Sequence, residues 1–189
     1  MRKVYALRHK SEAVWALKQF EQDITKASRF QIKRLRSDQG GEFTEAFRQF
    51  CAENGIKQEF SAAYTPQQNG VAESSWRSVF KMTRSKMTTA NMDRSYWAEA
   101  ARTAVYYLNR APTRPHNEGT PYEKWHSTTP KLDHLRVFGC TVYVMFQSQQ
   151  RCKLDDKAWV GCFWGTSYRI YNPGKKSVQL SRNARFDEE

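Results

Sequence analysis

Two carboxylates, Asp38 and Glu73, are predicted to lie at the edge of an α/β sheet where ligands usually bind. Asp38 follows a predicted strand and precedes Gln39-Gly40-Gly41, and Glu73 lies in the first turns of a predicted helix. Strand ends and helix starts converge at the carboxyl edge of such a sheet, where ligands bind. Two carboxylates repel each other there unless a divalent cation lies between them. Mg²⁺ prefers oxygen ligands of this kind, and paired metal ions catalyse phosphoryl transfer.

The same two residues also allow an interpretation without chemistry. Glu73 would then lie in solvent and pair with Arg77 one helical turn later. Asp38 would accept hydrogen bonds from the amides of its own turn. The residue types and their spacing leave both interpretations open.

Hydrophobic periodicity predicts the elements that must position these carboxylates. The first 110 residues have the order β-α-β-α-β-α-α, which is an α/β layer. Trp76 and Trp97 fall on the apolar stripes of their helices and are predicted to lie in the core. The predicted strands cover residues 3–8, 30–37 and 56–60, and the predicted helices cover residues 11–27, 44–54, 70–89 and 94–110.

The last third of the chain has a different sequence pattern. Residues 111–135 are rich in Pro, Thr and His and are predicted to form a linker. Short alternating segments between turn residues follow it, which is typical of a small all-β barrel or sandwich. These predicted strands cover residues 137–146, 158–165, 168–171, 177–181 and 184–187.

The charge of the chain predicts a polyanionic partner. Lys and Arg number 31 against 19 Asp and Glu, which gives a formal net charge of +12. Nucleic acid is the first candidate, and a basic solvated surface is the alternative. The candidate phosphate contacts near the carboxylates are Arg34, Arg36, Arg77, Lys81, Arg84 and Lys86, and those in the tail are Arg151, Lys153, Lys175 and Lys176.

The four cysteines and four histidines do not have the spacing of a zinc site. We expect Cys51, Cys140, Cys152 and Cys162 to be free thiols in a reducing compartment. No zinc ion is expected from this spacing. No signal peptide and no run of 18 apolar residues is present, so we expect no membrane partner. No motif predicts a small-molecule cofactor.

Long segments of the chain resemble, in order, the integrase of copia-type LTR retrotransposons, which is part of the Pol polyprotein. These segments are RLRSDQGGEF (34–43), FCAENGIKQEFSAAYTPQQNGVAE (50–73), YWAEAARTAVYYLNRAP (96–112), TPYEKW (120–125) and LRVFGCTVYV (135–144). The resemblance implies a ribonuclease H-like core with an Asp, Asp, Glu triad that binds Mg²⁺ or Mn²⁺. It makes Asp38 the second carboxylate of that triad and Glu73 the third.

The tail resembles the SH3-like module that follows the core in such polyproteins. The expected fold class is therefore α/β: a ribonuclease H-like integrase core that lacks its first strands, followed by a small all-β SH3-like module. The expected limits are 1–112 for the core, 113–134 for the linker and 135–189 for the module.

Some features depart from the family pattern. The first aspartate of the triad belongs before the segment matching YALRHKSEA, and residues 1–11 contain no Asp or Glu. Ser74-Ser75-Trp76-Arg77 replaces a basic run, and Thr166-Ser167 replaces a longer glycine-rich turn. A chain without the first aspartate is expected to bind metal poorly and to have little strand-transfer activity alone.

The expected function is DNA integration, as an integrase core fragment that binds nucleic acid. The alternatives are a non-catalytic or domesticated DNA-binding module and a nuclease of the same fold. The resemblance implies DNA as the partner, with self-association as in family integrases. It also implies an intracellular protein that acts in the nucleus, with a cytoplasmic particle as the other location.

Overall fold

The computed structural model describes residues 1–27, 30–37, 45–61, 70–112, 119–146, 156–165 and 168–188. Helices and strands follow the predicted order within these ranges with two exceptions: residues 3–8 form no strand, and a short helix, Pro121–His126, lies in the segment predicted to be a linker. The α-helices are α1 (Ala13–Ala27), α2 (Glu45–Glu53), α3 (Gly70–Thr89), α4 (Trp97–Arg110) and α5 (Pro121–His126). The strands are β1 (Arg34–Ser37), β2 (Lys57–Phe60), β3 (Thr141–Met145), β4 (Ala158–Phe163), β5 (Arg169–Asn172), β6 (Ser177–Leu180) and β7 (Ala184–Asp187).

These elements form two compact units. Tyr5–Arg77 make up the first unit, and Met1–Val4 together with Ser78–Glu189 make up the second. The domain limits expected from the family segments remain a prediction, since they follow sequence likeness rather than packing. None of the helices in the described ranges is both long enough and apolar enough to cross a membrane.

The first unit is built around a parallel pair of strands. β1 and β2 run side by side from the pair Arg34 and Lys57 to the pair Ser37 and Phe60. Parallel neighbours need a crossover connection, and α2 lies in the chain between them. Leu17, Phe47, Cys51 and Ile56 form a buried apolar cluster in this unit.

The strand predicted at residues 3–8 is wrong, because these residues have no regular secondary structure. Tyr5 instead packs edge-on against Trp15, with ring centroids 6.2 Å apart. Its hydroxyl donates a hydrogen bond to Asp23 at 2.9 Å. A strand requires a neighbour that accepts and donates backbone hydrogen bonds, and no described strand pairs with this segment.

The second unit contains a five-stranded antiparallel sheet in the order β6-β5-β4-β3-β7. Residues 181–183 alone join the two edge strands, β6 and β7. Leu180 and Ala184 therefore lie at most about 14 Å apart, whereas four flat strand spacings would need about 19 Å. The sheet must curl, as in the predicted small barrel. Its buried face carries Val142, Val144 and Ile170.

α4 packs directly against this sheet. Glu99 accepts two hydrogen bonds from the Arg169 guanidinium, each 2.8 Å long. Thr103 donates its hydroxyl proton to the carbonyl of Trp164 at 3.2 Å. The Trp164 ring stacks on Tyr171 with centroids 4.1 Å apart and an angle of 9° between the planes. The helix and the β module therefore belong to one packed body.

Two polar side chains in the family-like segments stabilise the fold of this unit through hydrogen bonds. The amide of Asn109, only 3% exposed, donates to the carbonyl of Arg2 at 2.7 Å and accepts from its N–H at 2.8 Å. Thr120 caps α5, because its hydroxyl accepts from the N–H of Glu123 while the Glu123 carboxylate accepts from the N–H of Thr120. This capping box, with Pro121 in the first turn, accounts for the TPYEKW segment.

Two glycines allow backbone approaches that a side chain would block. Gly139 has φ +91°, and a methyl group there would overlap Ala90. Gly165 has φ +127°, and a methyl group there would collide with the Thr103 hydroxyl. Only glycine adopts such conformations without strain. Gly139 thus allows the segment before β3 to approach the turn after α3, and Gly165 allows the end of β4 to approach α4.

Lys86 lies in the same packed body and not on the open surface. Its ammonium sits 3.9 Å from the centroid of the Tyr107 ring and 5.1 Å from that of Phe138. Desolvation by burial lowers the pKa of Lys86 from 10.5 to about 8. The two ring faces favour the charged form and oppose this loss of hydration.

The described cysteines are free, as predicted. Burial raises the pKa of Cys51 and Cys162, and it raises the pKa of Cys140 to about 11. Such thiols are weak nucleophiles at neutral pH, because the thiolate is the reactive form. Cys152 lies outside the described residues.

The contact between Glu99 and Arg169 predicts that Glu99→Gln lowers the stability of the protein. Their side chains are 14% and 32% exposed, so Glu99→Gln leaves a poorly hydrated guanidinium without its counter-charge. We expect the free energy of unfolding to fall by about 1–3 kcal/mol in urea denaturation. Glu45→Gln is the matched control, because Glu45 and its partner Arg48 are 84% and 60% exposed. A change within about 0.5 kcal/mol is expected there. Equal effects of the two variants would contradict this assignment.

Lys86 is expected to titrate near pH 8, as measured from its side-chain nitrogen resonance by NMR. Tyr107→Leu should lower that midpoint further, because it removes the ring face that favours the cation. The folded-state pKa lies below the unfolded one, so the unfolded chain binds more protons between the two values. The contribution of Lys86 to stability therefore increases as pH rises through this range. A midpoint near 10.5 would show that the ammonium is hydrated.

Candidate metal ligands and nucleic-acid interface

Glu73 lies in the first turn of α3 with its side chain exposed. The helix N-terminus carries partial positive charge, which favours a carboxylate there. The structure shows no ion pair between Glu73 and Arg77, although both are described. The exposed position agrees with the solvated interpretation, but the salt bridge that this interpretation included is not formed. Among the described residues, none donates a hydrogen bond to the Glu73 carboxylate.

Asp38 lies outside the described residues, so its distance from Glu73 remains a prediction. The strand that leads to it is in place, since β1 ends at Ser37. The N–H of Ser61 donates to the carbonyl of Ser37 at 3.0 Å, which continues the pairing beyond β2. The predicted strand before Asp38 is therefore present, and the position of Asp38 itself stays a prediction.

The fit of these residues to a divalent metal ion is incomplete. No group of three or more His, Cys, Asp or Glu residues in the described ranges lies close enough together to hold a metal ion. Glu73 offers the oxygen ligands that Mg²⁺ prefers. The described residues alone therefore contribute one suitable ligand and do not form a metal site.

Arg34 and Arg36 have a partner that was not recognised in the sequence. Arg36 donates to the Glu59 carboxylate at 3.1 Å, and Arg34 lies 3.7 Å from its other oxygen. The hydrogen bond from Arg36 is the main cause that lowers the pKa of Glu59. Pairing the strands predicted at residues 30–37 and 56–60 in parallel would have placed Glu59 beside Arg36. The two guanidiniums stay 72% and 60% exposed, so they remain accessible.

The helix α3 presents a row of charges on one face. Glu73, Arg77, Lys81 and Arg84 recur at spacings of four, four and three residues, which places them one above the other. All four side chains are exposed. A carboxylate followed by three cations therefore runs along this face, which we call the α3 charged face.

The other predicted phosphate contacts differ in their surroundings. Lys86 is half-buried against Tyr107, so it offers less of its charge to a DNA backbone. Lys175 and Lys176 are exposed in the turn between β5 and β6. Arg151 and Lys153 lie outside the described residues. The assignment of all these residues to DNA stays a prediction.

The predicted burial of two tryptophans is wrong. Trp76 is 52% exposed and Trp97 is 41% exposed. The buried line of α3 runs through Val79 and Thr83, which are 5% and 3% exposed. Trp76 therefore stands at the edge of the apolar stripe rather than at its centre.

Two family models match the chain. The integrase core domain matches residues 1–66, which include Asp38 and end before Glu73. The retroviral polymerase SH3-like domain matches residues 140–189, which contain all five strands of the curled sheet. The integrase core family is generally dependent on divalent metal ions.

Curated relatives match almost the whole chain. The chain is 37% identical to the retrovirus-related Pol polyprotein from transposon TNT 1-94 of Nicotiana tabacum, over 98% of the chain and 14% of that protein. It is 32% identical to the retrovirus-related Pol polyprotein from transposon RE1 of Arabidopsis thaliana, over 98% of the chain and 13% of that protein. The chain thus spans about one seventh of the length of these relatives.

A solved structure shares the fold. It is the simian T-cell lymphotropic virus intasome in complex with PP2A regulatory subunit B56 gamma, at 14% identity and a TM-score of 0.52. The match covers 95% of this chain and 65% of that one. Together with the two domain matches, it confirms the expected integrase core and SH3-like module. The chain therefore belongs to the integrase region of the retrovirus-related Pol polyproteins of transposons.

Proposed function

We propose that the chain acts in DNA integration, as the part of an integrase that holds DNA against its catalytic carboxylates. The α3 charged face is the observation that carries this proposal. It places an exposed carboxylate, Glu73, in line with three exposed cations. Phosphodiester chemistry needs both: cations to hold the DNA backbone, and oxygen ligands for the metal ion at the reacting phosphate.

The charge distribution supports DNA as the partner of this face. Within the described residues, Arg77, Lys81 and Arg84 form no ion pair, so their charge is not cancelled locally. Arg34 and Arg36 share one carboxylate, Glu59, and remain largely exposed. The formal net charge of +12 adds long-range attraction to a polyanion.

Asp38 and Glu73 are the residues proposed to hold the divalent ion. The carboxyl end of β1 precedes Asp38, and the first turn of α3 presents Glu73. A bound Mg²⁺ or Mn²⁺ would neutralise charge at the reacting phosphate. The family resemblance implies three carboxylates, and only these two are assigned within residues 1–189. We therefore propose that the polypeptide 1–189 does not complete the site by itself.

Two further features follow from the same proposal. Family resemblance supports self-association of the chain on paired DNA ends. A DNA substrate implies that the protein acts in the nucleus.

The exposed cations of the α3 charged face can hold a DNA backbone with or without a metal ion, which supports a second candidate function. In it, the chain binds DNA through the same cations without catalysing strand transfer. The two candidates share their DNA contacts and differ only in their dependence on Asp38 and Glu73.

Replacing two cations of the α3 charged face should reduce the salt dependence of DNA binding. Each phosphate contact contributes about 0.9 to the slope of log affinity against log salt concentration. Arg77→Gln with Lys81→Gln should therefore lower the slope by roughly 1.8, as measured by fluorescence anisotropy on a labelled duplex.

The control for this experiment removes the same charge elsewhere. Lys124 and Lys131 are exposed and lie outside α3, so Lys124→Gln with Lys131→Gln should leave the slope unchanged. An affinity that does not change with salt in the parent chain would refute backbone binding. Equal slopes in both double variants would remove α3 from the interface.

The polypeptide 1–189 should show only background strand transfer with Mg²⁺ or Mn²⁺ and duplex DNA ends, as measured by joined products on a sequencing gel. Its DNA affinity should nevertheless be retained in Asp38→Asn and Glu73→Gln. Robust joining that Asp38→Asn abolishes would show that residues 1–189 do complete the metal site.

A further inference from the structure

A groove in the second unit belongs to neither the metal ligands nor the buried core. It has a volume of about 740 Å³ and lies between the last turns of α3 and the first turn of α4. Phe80, Met87, Met92 and Trp97 contribute its apolar lining. The volume lies within the range typical of pockets that bind ligands or partner side chains.

The groove keeps large apolar surfaces in contact with water. Phe80 is 48% exposed and Trp97 is 41% exposed, whereas Met92 at its base is 9% exposed. Apolar patches that border charged residues commonly mark sites of protein association. Exposed aromatic residues are also enriched at the centres of such interfaces.

Two guanidiniums border this apolar lining. Arg84 and Arg94 both line the groove and are both exposed. Neither forms an ion pair with any described residue, and the lining residues include no carboxylate. Asp93, next to Arg94 in the chain, uses its carboxylate to accept from the N–H and the hydroxyl of Ser95. The groove therefore combines apolar surface with unneutralised positive charge.

We propose that this groove is a docking site for a partner protein, through a peptide segment that combines large apolar side chains with carboxylates. Leu, Ile or aromatic side chains of the segment bury themselves against Phe80, Met87 and Trp97. Aspartate or glutamate side chains pair with Arg84 and Arg94, and a guanidinium binds a carboxylate through two parallel hydrogen bonds. The groove shares Arg84 with the α3 charged face, and the other residues proposed to act on DNA, Glu73, Arg77 and Lys81, do not line it.

Other occupants fit the chemistry less well. DNA offers phosphates to the two arginines, but nucleic-acid interfaces are polar and would leave the apolar lining unmatched. A second copy of the chain carries a formal charge of +12, which opposes the positive charge at the groove. An acidic and apolar segment satisfies both the lining and the charge.

The test is a selection of random 12-residue displayed peptides on the folded chain. The enriched sequences should combine at least two large apolar residues with at least one Asp or Glu. The strongest of them, made synthetically with a fluorescent label, should lose at least tenfold in affinity for Arg84→Gln with Arg94→Gln, and likewise for Trp97→Ala. Replacing its acidic residues by Asn or Gln should weaken it similarly.

Lys124→Gln with Lys131→Gln is the control, because it removes the same charge outside the groove and should leave peptide affinity unchanged. Urea denaturation establishes that the groove variants stay folded. Enriched peptides that lack carboxylates, or that bind the groove variants as tightly as the parent chain, would overturn the proposal. No enrichment at all would also overturn it.

Two results would assign the groove to another occupant and so overturn the proposal as well. The first is a loss of DNA affinity in the Arg84→Gln with Arg94→Gln variant while its peptide affinity is unchanged. The second is a dimer in analytical ultracentrifugation that Trp97→Ala dissociates.

Discussion

The second unit depends on the way in which α4 is held against the curled sheet. Glu99 and Arg169 form a paired hydrogen-bonded contact with little exposure of the carboxylate, and Thr103 bonds to the backbone of Trp164 next to it. Gly165 makes this approach possible, because any side chain there would collide with Thr103. A polar contact of this kind favours one orientation of the helix, since a shift of either partner would break two charge-assisted hydrogen bonds.

Several other features lie on α4 and depend on that orientation. Tyr107 supplies the ring face for Lys86, Asn109 holds the backbone of Arg2, and Trp97 contributes to the docking groove. A change in the position of α4 would therefore alter the contacts of the N-terminal segment, the surroundings of Lys86 and the shape of the groove together. The SH3-like module thus positions α4 and the residues that depend on this helix.

Hydrophobic periodicity predicted the helices and strands well, and α3 has the bounds that were expected. The errors arose where tertiary partners decide the outcome. Residues 3–8 alternate like a strand but pair with no strand in the described part of the chain. Trp76 lies at the edge of a stripe whose buried line runs through Val79. Glu59 was missed for the same reason, because its role depends on which strands are neighbours. For the site, residue identity and order predicted Glu73 at a helix start. Residue type and spacing could not predict the distance between Glu73 and Asp38, because this distance depends on tertiary packing.

Some residues of the family-like segments maintain the fold, and others are candidates for catalysis. Sequence similarity alone therefore does not establish activity. The Thr120 capping box, the Asn109 amide and the close approach at Gly139 all maintain the fold. Their loss would cost folding free energy whether or not the protein catalyses anything. Glu73 makes no such contact with the described residues, and Asp38 lies outside them. A chain can therefore keep its likeness to its relatives in these fold-maintaining segments whether or not it catalyses strand transfer. Catalysis must be established at Asp38 and Glu73 themselves, since all the other segments would look the same in an active and an inactive protein.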